Sequence, residues 1–132
     1  MTLNRRWIVA LGFTALLGAS AVQAEELDRA NVPFAFNVAG KQQEAGSYSA
    51  QRQSNVLIVR NNASRNEVMV VPIPAKVDYK AASSMTFERY GSQYFLRKVA
   101  FNTGYVYELA RTKHEKELAR AERPEVILVA MR

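Results

Sequence analysis

The sequence predicts a mainly β fold: a single-domain antiparallel β-sandwich or small β-barrel with one short C-terminal surface helix. Three observations lead there. Short runs of β-forming residues recur at the roughly 8–12-residue spacing typical of such folds. Clusters of Gly, Pro, Asn and Ser separate them. Only one stretch, beginning at Thr112, carries both a helix start and a helix stop.

The opening β stretch is Asn31 to Lys41, closed by Ala45-Gly46-Ser47-Tyr48. Val32, Phe34, Phe36 and Val38 alternate with smaller or polar residues, the period of a strand with one buried face. With Gly40 and Gly46 around a polar connection, the stretch reads as a β-hairpin returning through Tyr48 to Gln53. Pro33 cannot donate to a ladder, which puts that end of the strand at an edge or bulge. The charged residues Glu25 to Ala30 are expected to fray. Val56-Leu57-Ile58-Val59 has no alternation and suits a strand covered on both faces. Asn61 to Ser64 form a turn, because Asn tolerates left-handed angles and bonds its own backbone. Val68 to Val71 pairs back, and Pro72 and Pro74 end it. The connection that follows, to Ser83, has room for a short edge strand at Val77 and Tyr79.

Met85 to Tyr90 and Gln93 to Val99 flank Gly91-Ser92, a pair suited to a II′ hairpin turn. Phe101 to Gly104 turn into a strand at Tyr105 to Leu109. Thr112-Lys113-His114-Glu115 has the form of a capping box, and its helix runs until Pro124. The apolar stripe there is thin (Leu118, Ala121 and His114), so the helix is expected on the surface, held by one narrow contact. Val126 to Ala130 is a closing strand. No repeat or linker divides the chain, so residues 25–132 form one domain.

Residues 1–24 read as a signal peptide rather than as part of the fold. Arg5 and Arg6 precede an apolar run from Trp7 to Leu17, and Val22 and Ala24 stand at the −3 and −1 positions of a cleavage site. The residues flanking Arg5-Arg6 do not match a twin-arginine signal, which favours general secretion. Removing 24 of the 132 residues leaves 108, and losing Arg5 and Arg6 lowers the net charge from +6 to +4. The product is exported, periplasmic or extracellular, with no stable membrane span after cleavage. A mild positive charge on an exported protein argues against a nucleic-acid partner. A chain of this size buries roughly 65% of its unfolded surface, enough for one core. With no cysteine, its stability must come from packing and strand pairing.

The residues argue against catalysis and against a bound metal or cofactor. His114-Glu115-Lys116-Glu117-Leu118 starts like the zinc-protease H-E-x-x-H, but Leu118 replaces the second histidine and His114 is the sole histidine. A zinc site would have to be completed by carboxylates alone. A serine nucleophile has no base beyond His114, and neither a Gly-x-Ser-x-Gly elbow nor a phosphate-binding glycine loop occurs. Glu67, Asp78, Glu88 and Glu108 fall on different segments, and no spacing forces two together as glycoside hydrolysis requires. Asn62-Ala63-Ser64 matches the short N-x-S sequon, a pattern of little information.

Two segments carry a resemblance. Val32-Pro33-Phe34-Ala35-Phe36-Asn37-Val38-Ala39-Gly40-Lys41 with Ala45-Gly46-Ser47-Tyr48 resembles "VPF-x-F-x-V-x-G-K … LPAG-x-Y", and Phe87 to Leu96 resembles "F-x-RYG-x-x-YFL". Both are similar to a family of small exported bacterial proteins of unassigned function, over most of residues 31–120. In this chain Gln43-Glu44 replaces Leu-Pro before Ala45. The resemblance implies a β-rich exported domain and supplies no catalytic residues.

The function expected is therefore that of a non-enzymatic binding or structural module, with an unknown protein or envelope component as partner. The alternative is a small lipocalin-like barrel carrying an apolar small molecule, its cavity lined by some of the six Tyr and six Phe. In the hairpin at Gly91-Ser92, Tyr90 opposes Gln93, Glu88 opposes Phe95 and Phe87 opposes Leu96, and opposed residues share a face. Met85, Phe87, Tyr94 and Leu96 then form a core face. Thr86, Glu88, Tyr90, Phe95, Arg97 and Val99 form the other, of mixed character like many interfaces. Tyr90, Phe95, Arg97 and Val99 are the expected partner-binding residues.

Overall fold

The computed structural model describes residues 27–132. The expected signal peptide and its expected cleavage site before Glu25 lie outside the described residues. Strands β1 (Leu27–Val32), β2 (Phe36–Val38), β3 (Lys41–Gln43), β4 (Gly46–Gln53), β5 (Val56–Asn61) and β6 (Glu67–Val70) are followed by β7 (Ile73–Val77), β8 (Ser84–Tyr90), β9 (Gln93–Ala100) and β10 (Tyr105–Glu108). Helix α1 (Lys113–Ala121) and strand β11 (Glu125–Ala130) complete the chain. One sheet has the order β1-β4-β5-β6 and the other β11-β8-β9-β10-β7, with the β2–β3 hairpin attached to β9. The sheets do not close into a barrel, so the fold is a β-sandwich.

The opening stretch is a change of sheet and not one strand. Asp28, Ala30 and Val32 alternate inward from β1, which pairs with β4 in the first sheet. Pro33-Phe34-Ala35 breaks the pairing, and Phe36 resumes in the second sheet. The fraying expected before Ala30 is therefore corrected from Leu27 onward. Asp28 occupies an inward position there, and its carboxylate accepts from Ser83 Oγ at 2.5 Å and from the Asn102 N–H at 3.3 Å. A buried carboxylate needs such donors, and here they come from the loops that flank β8 and β9 of the other sheet. Ala39 (φ 50) and Gly40 (φ 81) then turn β2 into β3, the left-handed pair that a tight I′ turn needs.

Phe36, Tyr48, Phe87 and Phe101 are fully buried between the sheets. Phe36 meets Tyr48 and Phe87 edge-on at centroid distances of 4.9 and 5.2 Å, a favourable arrangement for aromatic quadrupoles. These rings fill the space that a carrier barrel would leave for its ligand. The closed barrel of the carrier reading is thus corrected. Leu57 and Val59 join this core while Ile58 is buried on the other face of β5, as a strand covered on both sides requires.

Asn61 Oδ1 accepts from the N–H groups of Ala63 and Ser64 at 2.9 and 3.0 Å, forming the expected turn. The segment after Pro72 is a longer strand than Val77 and Tyr79 suggested. Strand β7 includes Pro74 and lies at the edge of its sheet, where a missing N–H is tolerated. Tyr79 lies beyond it, its ring against Gly104; a Cβ on Gly104 would come within 2.6 Å of that ring.

The β8–β9 register runs as expected from Tyr90↔Gln93 to Phe87↔Leu96, then shifts so that Thr86 opposes Lys98. Arg97 is the extra residue of this β-bulge. The shift sets Val99 opposite Met85 and turns it into the main core.

Candidate functional site

Helix α1 packs over one half of the outer face of the second sheet, above Glu88, Phe95 and Arg97. Its start is fixed locally. Thr112 Oγ1 accepts from the Glu115 N–H at 3.2 Å, and Glu115 Oε1 accepts from the Thr112 N–H at 3.3 Å, the reciprocal capping box. Glu115 is the buried residue of the helix. Its second oxygen, Oε2, pairs with Arg97 Nη2.

Arg97 is the centre of a buried ion cluster. Its Nε donates to Glu88 Oε1 at 2.8 Å and its Nη1 to the Leu109 carbonyl at 2.6 Å. Arg111, half-exposed at the rim, donates to both Glu88 oxygens at 3.2 and 2.9 Å. One guanidinium fork thus joins strand β8, the end of β10 and helix α1, and the β-bulge aims it there. Burial works against the Arg111 charge, but the Glu88 carboxylate, with the Tyr90 hydroxyl adding to it, outweighs burial and moves its pKa upward.

All four expected partner-binding residues lie within this packing. Tyr90 is 2%, Phe95 3%, Arg97 4% and Val99 0% exposed, which corrects their assignment to a partner surface. Phe95 lies under the helix, 6.0 Å from the His114 ring and 6.0 Å from Tyr90. Val99 is turned away from the other three by the bulge. The structure therefore brings Tyr90, Phe95 and Arg97 together as the seat of the helix.

The arrangement suits anchoring better than proton transfer. A general acid or base must present an oxygen to substrate, and the oxygens of Glu88 and Glu115 face Arg97, Arg111 and the helix cap. Glu67 instead pairs with Arg60, and Asp78 Oδ1 accepts from the Lys80 N–H at 3.0 Å. Glu67 and Asp78 are thus engaged with these partners and not with the Glu88 cluster. His114 is exposed and its Nε2 lies 2.9 Å from Gln93 Oε1. Among the described residues no group of three or more metal-binding side chains is gathered. The sequon residue Asn62 is tied to β4, donating to Ser47 Oγ at 2.9 Å and accepting from Ser49 Oγ at 2.7 Å.

Glu115 and Arg111 were not legible in the sequence as members of the cluster. The capping box was the available signal for Glu115, because it fixes that side chain in the first turn. The partner Arg97 could not be read, since the bulge that redirects it leaves no mark on a run such as Tyr94 to Val99.

The outward surface is different in character. Val126 and Leu128 on β11 are 61% and 67% exposed. Beside them, on the half of the sheet without the helix, Ala81, Ala100, Val106 and Lys98 line a shallow groove of about 490 Å³. No helix among the described residues is long and apolar enough to cross a membrane. No protein-family model matches the chain, nor does any curated protein or solved structure.

Proposed function

We propose that this chain is an exported, non-enzymatic β-sandwich module that works by associating with a protein or another component of the cell envelope or extracellular space. The observation that carries the reading is a division of chemistry. Glu88, Arg97 and Glu115, the side chains best able to act on a substrate, are buried and engaged with one another. What the domain offers outward on β11 is apolar strand surface, Val126 and Leu128. Apolar groups held outward on a sheet are a common element of interaction surfaces. Export rests on the order of basic, apolar and small residues in 1–24.

Fractionation of cells expressing the full 132-residue chain, with intact-mass analysis and surface cross-linking, tests the proposal. The expected product begins at Glu25, resides in the periplasm or medium, and cross-links into a larger complex. A chain retaining Met1 to Ala24 and confined to the cytosol would contradict it.

A further inference from the structure

We infer that strand β11 is a self-pairing edge, through which two copies of this chain join antiparallel with Leu128 on the two-fold axis. The inference goes beyond the proposed function and does not depend on export.

The argument begins with which backbone groups are free. The Met131 N–H donates to the Ser83 carbonyl at 3.0 Å, and β11 continues in unbroken register along β8 from Ala130↔Ser84 to Glu125↔Arg89. In an antiparallel ladder, bonded pairs alternate with unbonded ones. Residues 125, 127, 129 and 131 therefore bond inward to β8, while 126, 128, 130 and 132 point their N–H and C=O groups outward. Arg132 confirms the alternation: its N–H and C=O exchange two 2.8 Å bonds with Arg29 of β1. Val126, Leu128 and Ala130 are left, and among the described residues no strand pairs with them.

Unpaired edges are normally guarded by charge, proline or bulges. Strand β7 carries Pro74 and Lys76, β6 carries Glu67, and β1 carries Asp28 and Arg29. Strand β11 begins at Glu125 but then runs Val-Ile-Leu-Val-Ala, five residues with no charge and no proline. An open groove of about 940 Å³ is lined by Leu27, Arg29 and Asn31 of β1 and by Val129 and Ala130, so the edge opens to solvent where β1 and β11 diverge.

A second copy fits this edge in one register. With Leu128 opposite itself, Val126 pairs with Ala130 on each side of the axis, so every free donor meets a free acceptor. The shared ladder ends at these pairs, because the outward edge of Arg132 is already occupied by Arg29 and Pro124 of the second copy, which has no N–H, can turn away there without losing a bond. No donor is stranded at either end. Antiparallel pairing also brings the Glu125 end of one copy to the Arg132 end of the other, whereas parallel pairing would set like charges together. The exposed Val126 and Leu128 side chains would then form a continuous apolar seam across the joined sheets, as a symmetric interface requires.

The test uses the mature chain, residues 25–132, in sedimentation equilibrium together with cysteine cross-linking. A concentration-dependent dimer is expected. Leu128→Lys places two like charges on the axis and should weaken it by about a hundredfold; Val126→Lys should also weaken it. Both sites are exposed, so the melting temperature should hold. The chain has no cysteine of its own, so Leu128→Cys reports the axis directly. Bonded antiparallel partners lie about 5.5 Å apart at Cα, within disulfide reach, and mild oxidation should link the variant into dimers. Val126→Cys alone should link poorly, and a mixture with Ala130→Cys should link well. A chain that stays monomeric at millimolar concentration overturns the inference. So does a dimer indifferent to both lysine variants, or one in which Val126→Cys links as readily as Leu128→Cys. An exported chain that remains monomeric would refute the pairing while leaving the proposed function intact.

Discussion

Arg97 shows how much one residue can hold in place. Its side chain is 5% exposed and is engaged with two carboxylates and a carbonyl. Removing one partner of a buried ion pair strands the others, at ~3–5 kcal/mol. Arg97→Ala should therefore lower stability in urea by about that amount. Arg111→Ala, at a side chain 43% exposed, should cost below about 1 kcal/mol because solvent screens that pair. Equal losses would mean that the cluster is not organised around Arg97. Tyr48 gives a pH prediction. Burial raises its phenol above the ordinary 10.0, with Asn61 opposing and Glu44 reinforcing the shift. Above about pH 10 the unfolded phenol loses its proton while the folded one keeps it, so stability falls as pH rises toward the folded value. Tyr48→Phe should flatten that alkaline loss, as thermal melts across pH 8–12 would show. These residues also mark the limit of sequence reading. Tyr48 is inward by plain alternation, whereas Val99 needed knowledge of the bulge at Arg97.

Helix α1 and strand β5 differ in what holds them. The helix is joined to the sheet by Glu115, the His114–Phe95 contact and the half-buried Leu118. The expected stripe is thinner still, since Ala121 and His114 are exposed. Thr112→Ala should cost about 1 kcal/mol by removing the cap. Leu57→Ala, at a fully buried residue of β5, should cost ~2–5 kcal/mol through lost transfer energy and a cavity. Leu118→Ala should cost clearly less. Denaturation of the three variants ranks these contributions, and a Leu118 loss equal to that of Leu57 would contradict the assignment. Helix, hairpins and doubly covered strand were legible because their signals are local: a capping box, Gly91-Ser92, an unbroken β-forming run. Strands β1 and β7 were less so. A buried Asp28 and an edge Pro74 both violate the usual strand pattern, and only partners distant in sequence make them acceptable.

At the scale of the molecule, the sequence left sandwich and barrel open, because period-two alternation is common to both. Their difference lies in whether the last strand returns to the first. Here Arg29 and Arg132 join β1 to the chain end by a single backbone pair, and the edges diverge beyond it. That divergence leaves β11 open while the core is filled and the ion cluster is sealed beneath the helix. The central claim is that this open edge of β11 pairs with a second copy of the chain. Residue-resolved amide exchange on residues 25–132, at low and high protein concentration, tests it most directly. The account predicts that Val126, Leu128 and Ala130 exchange rapidly in dilute solution and become protected as concentration rises, while Ile127 and Val129 stay protected throughout. Rates at Val126, Leu128 and Ala130 that do not change with concentration would contradict it.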